Sequence, residues 1–236
     1  MPDYRTLEQQ FTEVLGLERR PVAVAFLDRP PAGLAEFTGS APSGCSFWRL
    51  AAEGRAFYTQ PRDHYNCAVG CYTHNIPLPP ERAGEMDQTL AFMMQLGYIS
   101  AEDLPRIARL AETPQVTAYA PLAAAPVAPD VVLFAGRPGR VMLLHEAALR
   151  AGVGTQTPNF GRPTCMALPA ALEQGLVAST GCVGNRVYTG LGEDELYVAV
   201  RGADLEKVAA QLATIAGANA RLAEYHQARR RELASE

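Results

Sequence analysis

The 236-residue chain is 48% apolar and carries a formal charge of -4 with both signs interspersed. That length buries a core without disulfide or metal staples, and the charge pattern leaves no basic footprint for nucleic acid. Residues 1–20 alternate polar and apolar side chains instead of forming a secretory leader, and no apolar run of about 18 residues marks a membrane span. The expected setting is the reducing cytoplasm, where cysteines bind metals or do chemistry more often than they form disulfides.

Residues 3–17 place Leu7, Phe11, Val14 and Leu15 on one helical face, and PVAVAFL from Pro21 reads as a buried strand. A loop leads to CSFWRLAAEG, a short helix that Ser43 can cap and Gly54 ends. The strand-like RAFYT follows, then the turn-rich PRDHYNCAVGC. Residues 83–97 and 103–111 read as helices, the first with Met86, Leu90, Met93 and Met94 as core-filling side chains. VTAYAPL and DVVLFAG read as strands, PGRVMLLHEAALRAG as a helix opened by Pro138, and PTCMALPAALEQG as another ended by Gly175. LVAST and ELYVAVRG are strands, and 203–228 is a long closing helix whose Arg229–Arg231 offsets the helix dipole.

The outline repeats. VAFLDRP at 24–30 aligns with VLFAGRP at 132–138. Each half then carries a cysteine at a helix start (Cys45, Cys165), a glutamate eight residues later (Glu53, Glu173), a glycine (Gly54, Gly175), a short strand, and a second cysteine in CAVG or CVG (Cys67, Cys182). Four such elements in one order indicate duplication. The expected fold is a mixed α/β protein of two related halves, 1–115 and 116–236, packed about a pseudo-two-fold axis as one globular unit.

A two-fold arrangement would bring the four thiols together at the seam. A helix N-terminus lowers a thiol pKa and favours the thiolate that metals require, and four thiolates suit tetrahedral zinc or an iron-sulfur cluster. Structural zinc sites draw on C-x2-4-C knuckles, whereas 21 and 16 residues separate the cysteines within each half. Cys67 and Cys71 form only a partial C-x3-C. Ligands from four separate segments favour a cluster, expected to be [4Fe-4S], over zinc. Two other readings stay open: ordinary buried cysteines, and a metal-free thiol redox or sulfur-transfer pair, although no C-x-x-C is present.

The runs PVAVAFL, CSFWRLAAEGRAFYT, DHYNCAVG and PTCMALPAALEQGLVASTGCVGNRVYTGLGEDELYVAV together resemble the prokaryotic family called domain of unknown function 169. The resemblance covers nearly the whole chain and implies no particular chemistry. Its recurring cysteines match Cys45, Cys67, Cys165 and Cys182, which leaves Cys71 as a spare or substitute ligand.

Candidate ligand contacts flank the cysteines, where binding residues concentrate on loops: Trp48, Arg49, Tyr58, His64, Tyr65 and Asn66 in the first half, and Gln156, Asn159, Phe160, Arg162, Asn185 and Arg186 in the second. His64, Arg49 and Arg186 are the candidates for chemistry, with Trp48, Tyr58, Asn66 and Asn185 as cofactor contacts. His64 could donate a proton or hydrogen-bond a cluster sulfur. Other motifs fail: HEAAL at 145–149 lacks the second histidine of a zinc-protease helix, GVG at 152–154 lacks the third glycine of a dinucleotide loop, and Lys207, the sole lysine, lies on an amphipathic helix. Three functions follow from this reading. They are an iron-sulfur protein acting as a small-molecule enzyme or as an electron or sulfur carrier, a zinc-stabilised metabolite-binding or regulatory protein, and the metal-free thiol protein. A small molecule or redox protein is the expected partner, and a homodimer the default assembly.

Overall fold

A computed structural model of the chain describes residues 2–159 and 163–234. Its elements, in order, are α1 (Tyr4–Leu15), β1 (Val22–Leu27), α2 (Cys45–Ala52), β2 (Phe57–Thr59), α3 (Ala68–Thr73), α4 (Glu85–Gln95), β3 (Val116–Pro121), β4 (Val131–Gly136), α5 (Pro138–Arg150), β5 (Thr155–Asn159), α6 (Ala167–Gln174), β6 (Leu176–Ser179), α7 (Val183–Thr189), β7 (Leu196–Arg201) and α8 (Leu205–Ala234). Local chemistry sets several of these boundaries. Asp3 caps α1 by accepting from the amides of Arg5 and Thr6, and Gly16 ends it in the left-handed region that a residue with a Cβ enters at a cost.

The strands form one sheet in the order β2-β3-β1-β4-β7-β6-β5. All neighbours run antiparallel except β5 and β6, which are parallel. β1 lies against β3 over six residues and against β4 over three, Val22 to Leu133, Ala23 to Val132 and Val24 to Val131.

Both faces of the sheet are covered, as the period-two alternation along the strands requires. Ala23, Val132, Phe134, Val198 and Val200 point to a core shared with Phe11 and Leu15 of α1, Leu144 and Ala147 of α5, and Leu205, Val208 and Leu212 of α8. Val24, Val131, Leu133, Tyr197 and Ala199 point the other way, into a core with Phe47 and Trp48 of α2 and Leu168 and Ala171 of α6. Cys45 and Cys165 belong to this second core. α2 packs on α7, and α3 packs both on α4 and on the single turn Thr164–Met166.

Three expectations are corrected. The segment 103–111 is not an α-helix: a 3-10 segment over Ala101–Arg106 contains Pro105, which has no amide to donate to a helix ladder. The methionine-bearing helix α4 has no fully buried residue, with Met86, Leu90 and Met93 half-buried and Phe92, Met94 and Leu96 exposed, so it fringes the core and does not fill it. Two short helices, α3 and α7, begin within stretches whose turn-forming residues hide any apolar period.

Gly175 ends α6 at φ 97°. A Cβ there would stand 2.8 Å from the carbonyl oxygen of Gly154 and 2.8 Å from Val153 Cγ1. Gly175→Ala is expected to lower stability by roughly 1–3 kcal/mol, read as a lower midpoint in urea unfolding with an unchanged m-value.

Candidate functional site: four cysteines at four helix starts

Cys45, Cys67, Cys165 and Cys182 each lie at the start of a helical segment. Cys45 is the first residue of α2, Cys67 is the N-cap of α3, Cys182 is the N-cap of α7, and Cys165 sits in the turn Thr164–Met166 that runs into α6. A helix start presents amides without intrahelical acceptors, so each segment directs partial positive charge toward its cysteine.

The four thiols also bear on one another electrostatically. Cys165 feels Cys45, Cys67 and Cys182; Cys45 feels Cys67 and Cys182; and Cys67 feels Cys182. Two of these cysteines come from each end of the chain. Cys71 is different: among the cysteines it is tied to Cys67 alone, its other charged neighbours are Arg82 and Glu85, and its Sγ donates to the His64 carbonyl at 3.2 Å.

Helix starts do not by themselves produce thiolates here, which corrects the expectation from sequence. Burial holds Cys45 and Cys165 far above the ordinary thiol range and raises Cys67 as well, while Cys71 is pushed up to about 12 by the same cause. Desolvation of a charge outweighs a helix-end dipole, which is worth about 1 kcal/mol. Cys45, Cys67, Cys71 and Cys165 are therefore neutral thiols in the absence of a cation.

Donors nevertheless face the sulfurs. The amides of Gly70, Gly44 and Val69 favour the Cys67 thiolate, with Gly70 N 3.3 Å from Sγ. A Cβ at Gly70 would lie 3.1 Å from that sulfur. The Asn185 side chain favours the Cys45 thiolate, and the Thr73 side chain favours that of Cys165. Cys182 is held by its backbone, its amide donating to Thr164 Oγ1 at 2.6 Å.

Among the described residues, the buried side-chain polar atoms without a hydrogen-bond partner are Trp48 Nε1, His64 Nδ1, His74 Nε2, Tyr119 OH and both amide atoms of Asn185. All belong to the cysteine side of the sheet. His64 Nε2 lies 2.9 Å from Thr59 Oγ1, whose own proton goes to the Thr117 carbonyl, so Nε2 carries the hydrogen and Nδ1 is a bare acceptor. His74 Nδ1 donates to the Gly70 carbonyl at 2.9 Å, which leaves Nε2 bare. Two neutral imidazoles with ring centroids 5.7 Å apart thus stand behind α3. No group of three or more His, Cys, Asp or Glu side chains among the described residues is arranged to hold a single metal ion.

The remaining sequence candidates divide cleanly. Trp48 and Asn185 are buried on the cysteine side with unpartnered polar atoms. His64 is buried between Phe47 and Tyr119 and is kept neutral by desolvation and by His74, so it is an acceptor and not a ready proton donor. Arg49 is exposed and pairs with Glu53 at 2.7 Å. Arg186 gives its guanidinium to the carbonyls of Gly192, Thr180 and Glu195, and so staples the turn before β7. Tyr58 donates to Glu36, and Asn66 donates to Ser40 and Ala41, both as loop braces. Gln156 and Asn159 lie on β5, while Phe160 and Arg162 fall outside the described residues. Sequence reasoning missed Gly44, Thr73, His74 and Tyr119. The signal for Gly44 was its place directly before Cys45; Tyr119 looked like any residue of a buried strand.

The model of the domain-of-unknown-function 169 family, described as an uncharacterised ArCR, matches residues 10–211. The chain belongs to that family. No curated protein and no solved structure matched. No described helix is long and apolar enough to cross a membrane.

Two measurements check this geometry. Burial lowers His64 to about 3 and His74 to about 4 from the ordinary 6.5. Below pH 6.5 the unfolded chain takes up protons that the folded chain refuses, so stability is full above that pH and falls as pH drops toward 4. Each histidine contributes a slope of about 1.4 kcal/mol per pH unit, to be read by urea unfolding between pH 7 and pH 4.5. In the native metal-free protein, a thiol alkylating agent is expected to label the half-buried Cys67 and Cys182 before the buried Cys45, Cys71 and Cys165, as peptide mass spectrometry over time would show.

Proposed function

We propose that this protein binds an iron-sulfur cluster through Cys45, Cys67, Cys165 and Cys182, and that it serves as an electron carrier. The observation that carries the reading is that four cysteines, each at the start of a different helical segment, lie on one side of the sheet, where α2 packs on α7 and α3 on the Thr164–Met166 turn, and burial disfavours the free thiolates of Cys45, Cys67 and Cys165. A cationic iron core would supply the charge that lets the buried Cys45 and Cys165 ionise, and the helix starts would offset the negative charge of the assembled centre. Ligands drawn from four separate segments, with no close C-x2-4-C knuckle pairs, favour a cluster over a single zinc. Four protein ligands would saturate the irons, a state suited to electron transfer.

Internal duplication accompanies this reading. The strand order supports it: outward from the central β1-β4 pair come β3 then β2 on one side, and β7 then β6 on the other. Each half would then run strand, cysteine helix, strand, cysteine helix, strand, with the α5-β5 pair inserted in the second. On this reading the seam falls after β3 and not at residue 115.

A second reading rests on the proximity of Cys67 and Cys182, the two half-buried thiols. It is a metal-free redox pair spanning the halves.

Anaerobic purification with iron, sulfide and zinc analysis tests these readings. Iron and acid-labile sulfide are expected in the wild-type protein. Most of both should be lost in Cys45→Ser and Cys182→Ser, with near wild-type content in Cys71→Ser. Zinc at one per chain in a colourless protein would instead support the zinc alternative, and a metal-free protein that forms a Cys67–Cys182 disulfide on mild oxidation would support the thiol pair.

A further inference from the structure

We infer that two copies of this chain associate by exchanging the free ends of α8, each end lying on the exposed face of α4 in the other copy. α8 changes character along its length. Leu205, Val208 and Leu212 are buried in the core shared with α1 and α5, and Ile215 and Ala216 still pack at its edge. From Gly217 to Ala234 the helix contributes nothing to either core, and Leu222 and Tyr225 are 58% and 64% exposed. At 1.5 Å per residue this end runs on for about 25 Å. A helix of that length is only marginally stable in water, because most helical stability in proteins comes from packing one face. Leu222 and Tyr225, three residues apart, share such a face, and Arg229 lies one turn further along it.

α4 offers a matching surface. It has no fully buried residue, and Phe92 and Leu96, four apart on one stripe, face outward at 59% and 65% exposure. On its other side α4 rests on α3, the helix that Cys67 caps. Exposed apolar side chains gathered on one helix mark an interaction face.

Charge selects the occupant. Residues 81–112, which hold α4 and its flanks, contain six acidic and three basic side chains, whereas 217–234 contains four arginines and two glutamates. Two α4 faces set together would repel, and two α8 ends aligned in parallel would place Arg229–Arg231 against their own copies. Antiparallel α8 ends would avoid that clash but leave α4 uncovered. An α8 end on an α4 face joins opposite charges and covers both apolar stripes. Within one chain the two elements belong to opposite faces of the sheet, α8 to the Phe11 core and α3, with α4 upon it, to the Trp48 core. The α8 end that meets α4 therefore comes from a second copy. Exchange in both directions makes the same contact twice about a two-fold axis and closes the assembly at a dimer.

The test is analytical ultracentrifugation of the full-length chain at micromolar concentration, as wild type, Tyr225→Glu and Leu96→Glu. The wild type is expected to be a dimer. Each substitution falls at an exposed position outside both cores and is expected to weaken the dimer roughly tenfold or more. An equimolar mixture of the two variants should recover part of the association, because the intact α8 end of the Leu96→Glu protein meets the intact α4 face of the Tyr225→Glu protein. Leu222→Glu and Phe92→Glu take over if circular dichroism shows that either variant has lost its fold. A monomeric wild type would overturn the inference, as would a mixture that associates no better than its components. Loss of the dimer in Tyr225→Glu alone would overturn it in favour of paired α8 ends, loss in Leu96→Glu alone in favour of paired α4 faces, and loss in neither in favour of a contact elsewhere.

Discussion

Everything on the cysteine side of the molecule depends on the pairing of two strands in the middle of the sheet. β1 and β4 are joined along only three residues, from Val22 opposite Leu133 to Val24 opposite Val131. Because a strand presents alternate residues to opposite faces, a slip of one residue would turn Val24 and Val131 to the wrong side. The flanking pairings, six residues long for β1 with β3 and six for β4 with β7, fix that register from both sides. With it fixed, the helices that follow from both ends of the chain bring Cys45 and Cys165 into one core.

That core has an unusual electrostatic character. The opposite face is lined with aliphatic and phenylalanine side chains, whereas the cysteine face also contains thiols, two imidazoles, an indole, a phenol and an amide whose polar atoms lack partners. Burial suppresses charge there: Cys45 and Cys165 stay protonated, and His64 and His74 stay neutral. Such a region is costly to maintain as plain interior. It is well suited to receiving a group that brings its own charge and hydrogen-bonding capacity, which is the basis of the cluster proposal.

Much of this was legible in the sequence, for reasons that differ by element. The buried strands β1, β4 and β7 are short runs rich in β-branched residues, and α5 and α6 have clear terminal signals in Pro138 and Gly175. The cysteine contexts stood out because each recurs with glycines at fixed places. What could not be read was anything set by contacts across the sheet. α3 and α7 are too short to show a helical period, α4 has an apolar face that the fold leaves largely at the surface, and Arg186 resembled a ligand contact although its guanidinium is spent on three carbonyls. The ionisation of the thiols was misread for the same reason. Position at a helix start is local and visible, but burial is a property of the assembled protein.

The distribution of the four cysteines along the chain has a consequence for the order of assembly. Cys45 and Cys67 leave the ribosome long before Cys182, and β7, which anchors the strands on either side of it, comes later still. On the proposed cluster reading, a centre that needs all four sulfurs cannot be completed before Cys182 is synthesised, so loading would follow the closure of the sheet. Once in place, the centre would act as a clasp between segments that synthesis delivered at different times, and its loss would loosen their junction before it melted either side.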